Sequence, residues 1–326
     1  MRGTHLPATV LLLLFALALA PEGAEAQRHT YTKGQPVYPA YEGWVRNDDG
    51  SIDMLFGYMN ENWEEAVNVP VGADNRFSPV QADQGQPTHF LPRRNRFTFT
   101  VRVPPGFGAD EEIVWTLRAN GHESQAFGTL REDLYVDNVV IMSETGALGA
   151  GTSSPEIRAN IPPMIELEGE RERTVRAGEQ VTLVAMVTDD GQPDQSSLQF
   201  FGSADDEEED EPPTPQELLQ SALRASTASV TVSKRLGLHF TWFVYRGPGE
   251  TVEFDSPQIK PWEDTRPFAN SPWARAWSAP EPPEDNRWVS EATFSQPGTY
   301  VLRGRADDGG LYSDVEVTVE VRGTVF

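Results

Sequence analysis

The chain contains no cysteine. That one absence removes disulfide cross-links, thiolate metal ligands, cysteine nucleophiles and a lipid-modified cysteine anchor together. Histidine is scarce as well, and the four that follow residue 26, His29, His89, His122 and His239, form no HExxH pair able to ligate zinc from one helix face. No serine stands in a GxSxG elbow, and no GxGxxG or GxxxxGK(S/T) loop is present to cradle phosphate. Positive charge is short: 26 Lys and Arg against 50 Asp and Glu leave a net charge of −24. Such a field repels nucleic acid phosphates and anionic headgroups, which excludes a role in reading DNA or RNA. Beyond the start of the chain no apolar run is long enough to cross a bilayer as a helix, so no transmembrane segment is expected.

What the first 26 residues do contain is a targeting pattern. Arg2 gives a positive start, Val10 to Ala20 is an unbroken apolar run, and Ala24-Glu25-Ala26 fits the small-residue cleavage rule. A signal peptide over 1–26, cut before Gln27, is expected, placing the mature chain in a secreted or periplasmic location. Export without cysteine leaves burial alone to stabilise the fold, a condition that suits a bacterial protein. At 326 residues and about 150 residues per domain, two domains are expected. Residues 27–40 are polar, with Gly34, Pro36 and Pro39, and read as a flexible lead-in, with order beginning near Tyr41.

From Tyr41 to about Ile141 the apolar residues recur with period two. Phe97, Phe99, Val101 and Val103 alternate with Arg96, Thr98, Thr100 and Arg102, and Ile113, Trp115 and Leu117 repeat the pattern. Asn47-Asp48-Asp49-Gly50 supplies turn chemistry for a hairpin between Tyr41–Arg46 and Ser51–Tyr58. No amphipathic helical stretch is read in this half, so residues 41–145 are expected to form an antiparallel β-sandwich. Gly146 to Pro155, GALGAGTSSP, is small and polar, which makes 146–159 the linker.

The second half alternates again, through Val181, Leu183, Ala185 and Val187, then Leu238, Phe240, Trp242 and Val244, then Val315, Val317, Val319 and Val321. Asn160-Ile161-Pro162-Pro163, Gly178-Glu179 before VTLVAMVTDDG, Arg246-Gly247-Pro248-Gly249, Ala292-Thr293-Phe294 and PGTYVLRGRADDG (Pro297 to Gly309) together resemble a bacterial PKD-like, immunoglobulin-like domain. The resemblance covers roughly residues 160–322 and implies a seven-strand sandwich used for adhesion, spacing or ligand presentation. It adds no activity to the first half. The expected fold is therefore all-β, with two antiparallel immunoglobulin-like sandwiches, the second (160–326) carrying insertions near 203–226 and 257–288. The first insertion holds seven consecutive acids, Asp205 to Glu211, and a short helix from Pro215 to Ala225 capped by Thr214. The second holds Trp262, Trp273, Trp277 and Trp288 among prolines.

Four candidate features follow. Asp189 and Asp190 end one strand and Asp307 and Asp308 another, and the two loops share a pole in an immunoglobulin-like sandwich. They are either ordinary Asp-Asp-Gly turns or four carboxylates converging on calcium, the cation such oxygens suit. Trp262, Trp273 and Trp277 either fold back as a lid, present rings to a sugar, or dock a protein. Carboxylate pairs such as Glu64 and Glu65 or Glu263 and Asp264 read as solvated acids rather than a hydrolytic pair. Arg93, Arg94 and Arg96, the one dense basic cluster, read as a solvated strand edge or as a partner for the acidic run. The expected function is a non-catalytic exported protein that binds or positions an envelope protein or glycan, with no cofactor expected unless the four aspartates converge on calcium. The alternative is a carbohydrate-binding or carbohydrate-active protein using the tryptophan-rich insertion.

Overall fold

A computed structural model describes residues 31–145, 155–192, 237–256, 259 and 280–323. The signal segment 1–26, residues 146–154 of the linker, the acidic run, the helix expected at Pro215–Ala225, and Trp262, Trp273 and Trp277 lie outside the described residues.

The first sandwich is built from eight strands: β1 (Val37–Arg46), β2 (Ile52–Asn60), β3 (Val67–Asn68), β4 (Asn75–Ser78), β5 (His89–Phe90), β6 (Arg93–Arg102), β7 (Ile113–Ala119) and β8 (His122–Gly128). They pair as β1-β2-β6, β4-β7-β8 and the short β3-β5, every pair antiparallel. The Asn47–Gly50 turn closes the β1–β2 hairpin where expected, with Arg46 opposite Ile52. The first strand starts earlier than composition suggests. Val37 pairs with Asn60 and is fully buried, so the lead-in assigned to 27–40 loses at least its last four residues to β1. Between the sheets Phe56, Phe77, Phe99 and Trp115 pack as a tight aromatic cluster, Phe77 stacked on Trp115 at 5.8 Å and Phe99 edge-on to it at 5.0 Å. The Trp115 indole N–H donates to Asn75 Oδ1 at 2.9 Å, so the deepest ring carries no unpaired polar atom.

The stretch after the last of these strands is a helix, Asn138–Thr145, where period-two reading had strand. Val139, Val140 and Ile141 mimic a strand in composition, but Asp137 starts a helix by accepting the Val140 N–H at 2.9 Å. Ile141 and Met142 are then buried.

The second sandwich contains β9 (Met164–Glu168), β10 (Glu172–Arg176), β11 (Gln180–Thr188), β12 (His239–Arg246), β13 (Val252–Phe254), β14 (Arg287–Phe294), β15 (Gly298–Asp307) and β16 (Tyr312–Arg322). Two sheets face each other, β13-β14-β11-β9 and β10-β16-β15-β12. In immunoglobulin lettering these are the sheets D-E-B-A and A′-G-F-C, with the first strand split so that its second half crosses over to pair with the last strand. That pairing, β10 with β16, is the one parallel ladder among the described strands. The alternating residues named above meet as one core: Val181, Leu183, Ala185, Val187, Phe240, Trp242, Val244, Val315, Val317, Val319 and Val321 are all buried. Trp288 belongs to β14 and packs on Phe240 at 6.2 Å. The tryptophan-rich insertion therefore ends before Arg287, because the strand pairing of Met186 with Arg287 and Ala185 with Trp288 claims both residues.

Candidate functional site

The most elaborate chemistry among the described residues lies where the two sandwiches meet. Strand β6 sets it up. Phe56 faces Phe99 and Tyr58 faces Asn95, so Gly57 alone stands opposite Arg96, Phe97 and Thr98. The surplus is absorbed as a bulge with Phe97 in the left-handed region at φ 47°, a strained conformation for a residue with a Cβ. Gly57 is required there, since a Cβ would overlap the Asn95 carbonyl and the Glu42 carboxylate. The bulge turns the carbonyls of Phe97 and Thr98 toward the second sandwich.

Two arginines of β15 receive them. Arg303 donates to the Thr98 carbonyl and Arg305 to the Phe97 carbonyl at 3.1 Å. Both guanidiniums are buried, at 7% and 2% exposure. Each also faces a carboxylate across the β15–β16 ladder. Arg305 grips Asp314 with two N–H groups, both at 2.7 Å, and Arg303 grips Glu316 through one oxygen. Beneath them, the Tyr245 ring lies 3.4 Å from Arg303 and the Tyr312 ring 3.8 Å from Arg305. Burial opposes the charge on both guanidiniums, but Tyr245, Asp314 and Glu316 around Arg303, and Asp314 beside Arg305, hold both above the ordinary arginine value.

Further contacts flank this pair. The Thr88 N–H donates to the Tyr245 carbonyl at 3.1 Å, Arg246 donates to the Gln86 carbonyl at 2.9 Å and pairs with Asp83, and the Asn68 amide donates to the Glu250 carboxylate. Because Asn68 spends its N–H₂ there, its oxygen accepts from His89 Nδ1 at 2.7 Å. His89 is a packed histidine, its ring against Gly249, where a Cβ would collide with it. Burial lowers its imidazole to about 4, with the Glu250 charge opposing. The apolar part of the junction is continuous with the cores. Phe243 and Tyr245 of β12 are buried in the aromatic core of the first sandwich, and Leu311 joins Leu55, Phe97, Val136, Ile141 and Met142 in a separate cluster. A cleft of about 370 Å³ remains, lined by Phe97 to Thr100, Tyr245, Arg246, Arg303 and Glu316 among others.

The four aspartates make turns. Asp189 accepts the Gly191 N–H and Asp190 that of Gln192, both at 2.9 Å. Asp307 accepts from Gly309 at 2.7 Å. Asp308, 2% exposed, accepts from Gly310 and from Leu311, the latter at 2.7 Å, and from the Asn160 amide at 3.1 Å. Burial, then the neighbouring Asp307, push its carboxyl up to about 7; burial also raises Asp189. Among the described residues no group of three or more His, Asp or Glu side chains is placed to hold a metal ion, and these four form none. Arg94 pairs with Glu42 at 2.6 Å and Arg93 donates to the Glu61 carbonyl at 2.9 Å, so both bind within their own sandwich. Glu65 accepts the Gly34 N–H at 2.5 Å. No helix among the described residues is long and apolar enough to cross a membrane.

The junction arginines were missed by sequence reading. In VLRGRADDG they alternate with Leu302, Gly304 and Ala306 and so fall on the face that period two assigns to solvent. The signal was present in the next strand: Asp314 and Glu316 repeat the same alternation with opposite charge.

Strand order and pairing define an all-β chain of immunoglobulin-like sandwich class. No family model and no curated protein matches the sequence. Solved structures with some likeness include the first eight immunoglobulin domains of Down Syndrome cell adhesion molecule, at 7% identity and a TM-score of 0.24, covering 88% of this chain and 27% of that one. Domains 4 and 5 of the S-layer protein SbsC show 9% identity and a TM-score of 0.22, covering 88% and 98%. The Yersinia pseudotuberculosis adhesin InvE shows 8% identity and a TM-score of 0.21, covering 88% and 59%. Scores this low carry no argument; the assignment rests on the strand ladders.

Proposed function

We propose that the chain is an exported, non-catalytic protein of the bacterial envelope or extracellular space, in which two sandwiches clamped into one body position a bound partner at fixed distance and angle. The observation that supports this is the junction. Sandwiches joined only by a flexible linker move independently by default. Here two buried arginines of one sandwich end on backbone carbonyls of the other, and two aromatic residues of β12 complete its core. Such contacts give geometry rather than chemistry: the buried ionisable groups are engaged with the protein itself.

The absence of cysteine makes the test clean. Gln125→Cys and Thr182→Cys, both at exposed strand positions, accept spin labels without competition. One narrow interspin distance in the full chain is the expected result; a broad distribution would mean independent sandwiches and would refute the clamped reading. Export is checked separately, by expressing the precursor in a bacterium with two membranes and sequencing the mature N-terminus, expected at Gln27.

A further inference from the structure

We propose that the cleft between the sandwiches binds a neutral, polyhydroxylated ligand, a saccharide unit held by hydrogen bonds rather than by ring stacking. This rests on the clamped-junction reading, since the walls come from both sandwiches. The volume of about 370 Å³ falls in the range of small-molecule sites, and clefts between domains are a preferred place for them.

The charge pattern selects the ligand class. Three guanidiniums line or back the cleft, and each already faces a carboxylate: Arg246 with Asp83, Arg303 with Glu316, Arg305 with Asp314. An anion entering would meet Asp314 and Glu316, a cation would meet Arg303, and either would have to break a pair. A neutral ligand breaks none. It can use the acceptor capacity left over, because an ionised carboxylate offers about four lone-pair sites. Arg303 donates twice to Glu316 Oε1, which leaves Oε2 open at a rim where the side chain is 44% exposed. Each Asp314 oxygen takes one hydrogen bond from Arg305, and Arg303 Nη1 lies 3.7 Å from Oδ2, beyond hydrogen-bond reach, so second lone pairs remain on a group that is 24% exposed. The Thr100 side chain adds an exposed hydroxyl to the lining. Vicinal hydroxyls, each donor and acceptor at once, match such a set. Stacking is closed off, because the guanidiniums of Arg303 and Arg305 already cover Tyr245 and Tyr312. The walls are also preorganised: Arg303 and Arg305 are held by the Thr98 and Phe97 carbonyls before a ligand arrives, so little side-chain ordering is left to offset binding.

The full chain, labelled with nitrogen-15, would be titrated with glucose, galactose, mannose and N-acetylglucosamine, and in parallel with glucuronate and glucosamine. Saturating shifts confined to the amides of Thr98, Thr100, Tyr245 and Glu316 are expected for at least one neutral sugar, with the charged analogues binding about tenfold more weakly or worse. Thr100→Trp, which fills the mouth without touching an ion pair, should abolish the shifts while leaving the melting temperature unchanged; Glu316→Gln should weaken them. Absence of saturable shifts with every neutral sugar overturns the proposal, as does equal binding of charged and neutral forms. So does binding that survives Thr100→Trp but is lost when Trp262, Trp273 and Trp277 are replaced together by alanine, which would put the sugar on the insertion. The interspin distance separates the two readings: a narrow distribution with no shifts rejects the ligand alone, while a broad one rejects the clamp.

Discussion

The guanidinium of Arg303 stands 3.4 Å from the centroid of the Tyr245 ring, and the two residues belong to neighbouring strands of one sheet while serving the sandwich opposite. Tyr245 is buried in that other core and its hydroxyl donates to the Gly85 carbonyl. Arg303 passes over it to reach Thr98. A cation, a ring and a backbone carbonyl thus meet across the junction.

Arg305 should be the costliest arginine to lose. Arg305→Leu leaves the Phe97 carbonyl without its donor and Asp314 without its two hydrogen bonds, with only Arg303 left as a more distant cation at 3.7 Å, and is expected to cost about 3 kcal/mol, toward the lower end for a broken buried pair because Asp314 keeps that neighbour and access to water. Arg305→Lys should not restore it, since a single ammonium cannot give Asp314 two parallel N–H bonds and also reach the carbonyl. Urea unfolding measures both. A loss within about 0.5 kcal/mol, the range of ordinary surface changes, would show that the contact is not holding the junction.

Stability against pH should show two buried groups working in opposition. The Asp308 carboxyl rises from 3.8 to about 7, so the folded chain keeps a proton that the unfolded chain releases, and stability falls as pH climbs through that window. The His89 imidazole drops from 6.5 to about 4, so the unfolded chain takes up the proton first, and stability falls as pH descends through nearly the same window. Their slopes oppose each other over most of this window in the parent. Asp308→Asn should expose the acid-side loss due to His89; its new amide can donate to Asn160 Oδ1, which is buried without a hydrogen bond, once that side chain turns over. His89→Gln should expose the opposite slope. Urea midpoints taken from pH 4 to pH 7 test this, and parallel profiles for all three proteins would refute the assignment.

Limited proteolysis is expected to cut between Gly146 and Asn160, with the halves remaining associated. Phe243 and Tyr245 belong to the second sandwich by sequence and to the first core by burial, so separation would uncover large aromatic area on both sides. The nicked protein should elute as one species from a sizing column and divide only in denaturant. Elution as two folded, independent fragments would contradict a shared core.

Melting curves in calcium and in chelator should coincide, and Asp307→Asn should shift both equally. All four aspartates already accept turn amides. A calcium-dependent rise in melting temperature that disappears in Asp307→Asn would restore the cation reading by mass action.

Most of the strands, the hairpin turns and the core of the second sandwich are legible in the amino-acid sequence. Period-two burial through Val181 to Val187 and Val315 to Val321, the Asn47–Gly50 hairpin turn and the Asp-Asp-Gly turns are local properties, set by side-chain alternation and backbone preference over a few residues. The Asn138–Thr145 helix is not legible in that way, because Val139, Val140 and Ile141 are β-branched and Asp137 alone marks its start. Tertiary structure alone decided the junction. That Phe97 departs from its alternation follows from Gly57 facing three residues instead of one, a register choice made between strands about 40 residues apart. That Arg303 and Arg305 are buried follows from carbonyls some 200 residues away. A charged side chain on a polar face carries no local mark of whether water or a second sandwich will cover it, because the free energy of burying it depends on partners that only the folded chain brings within reach.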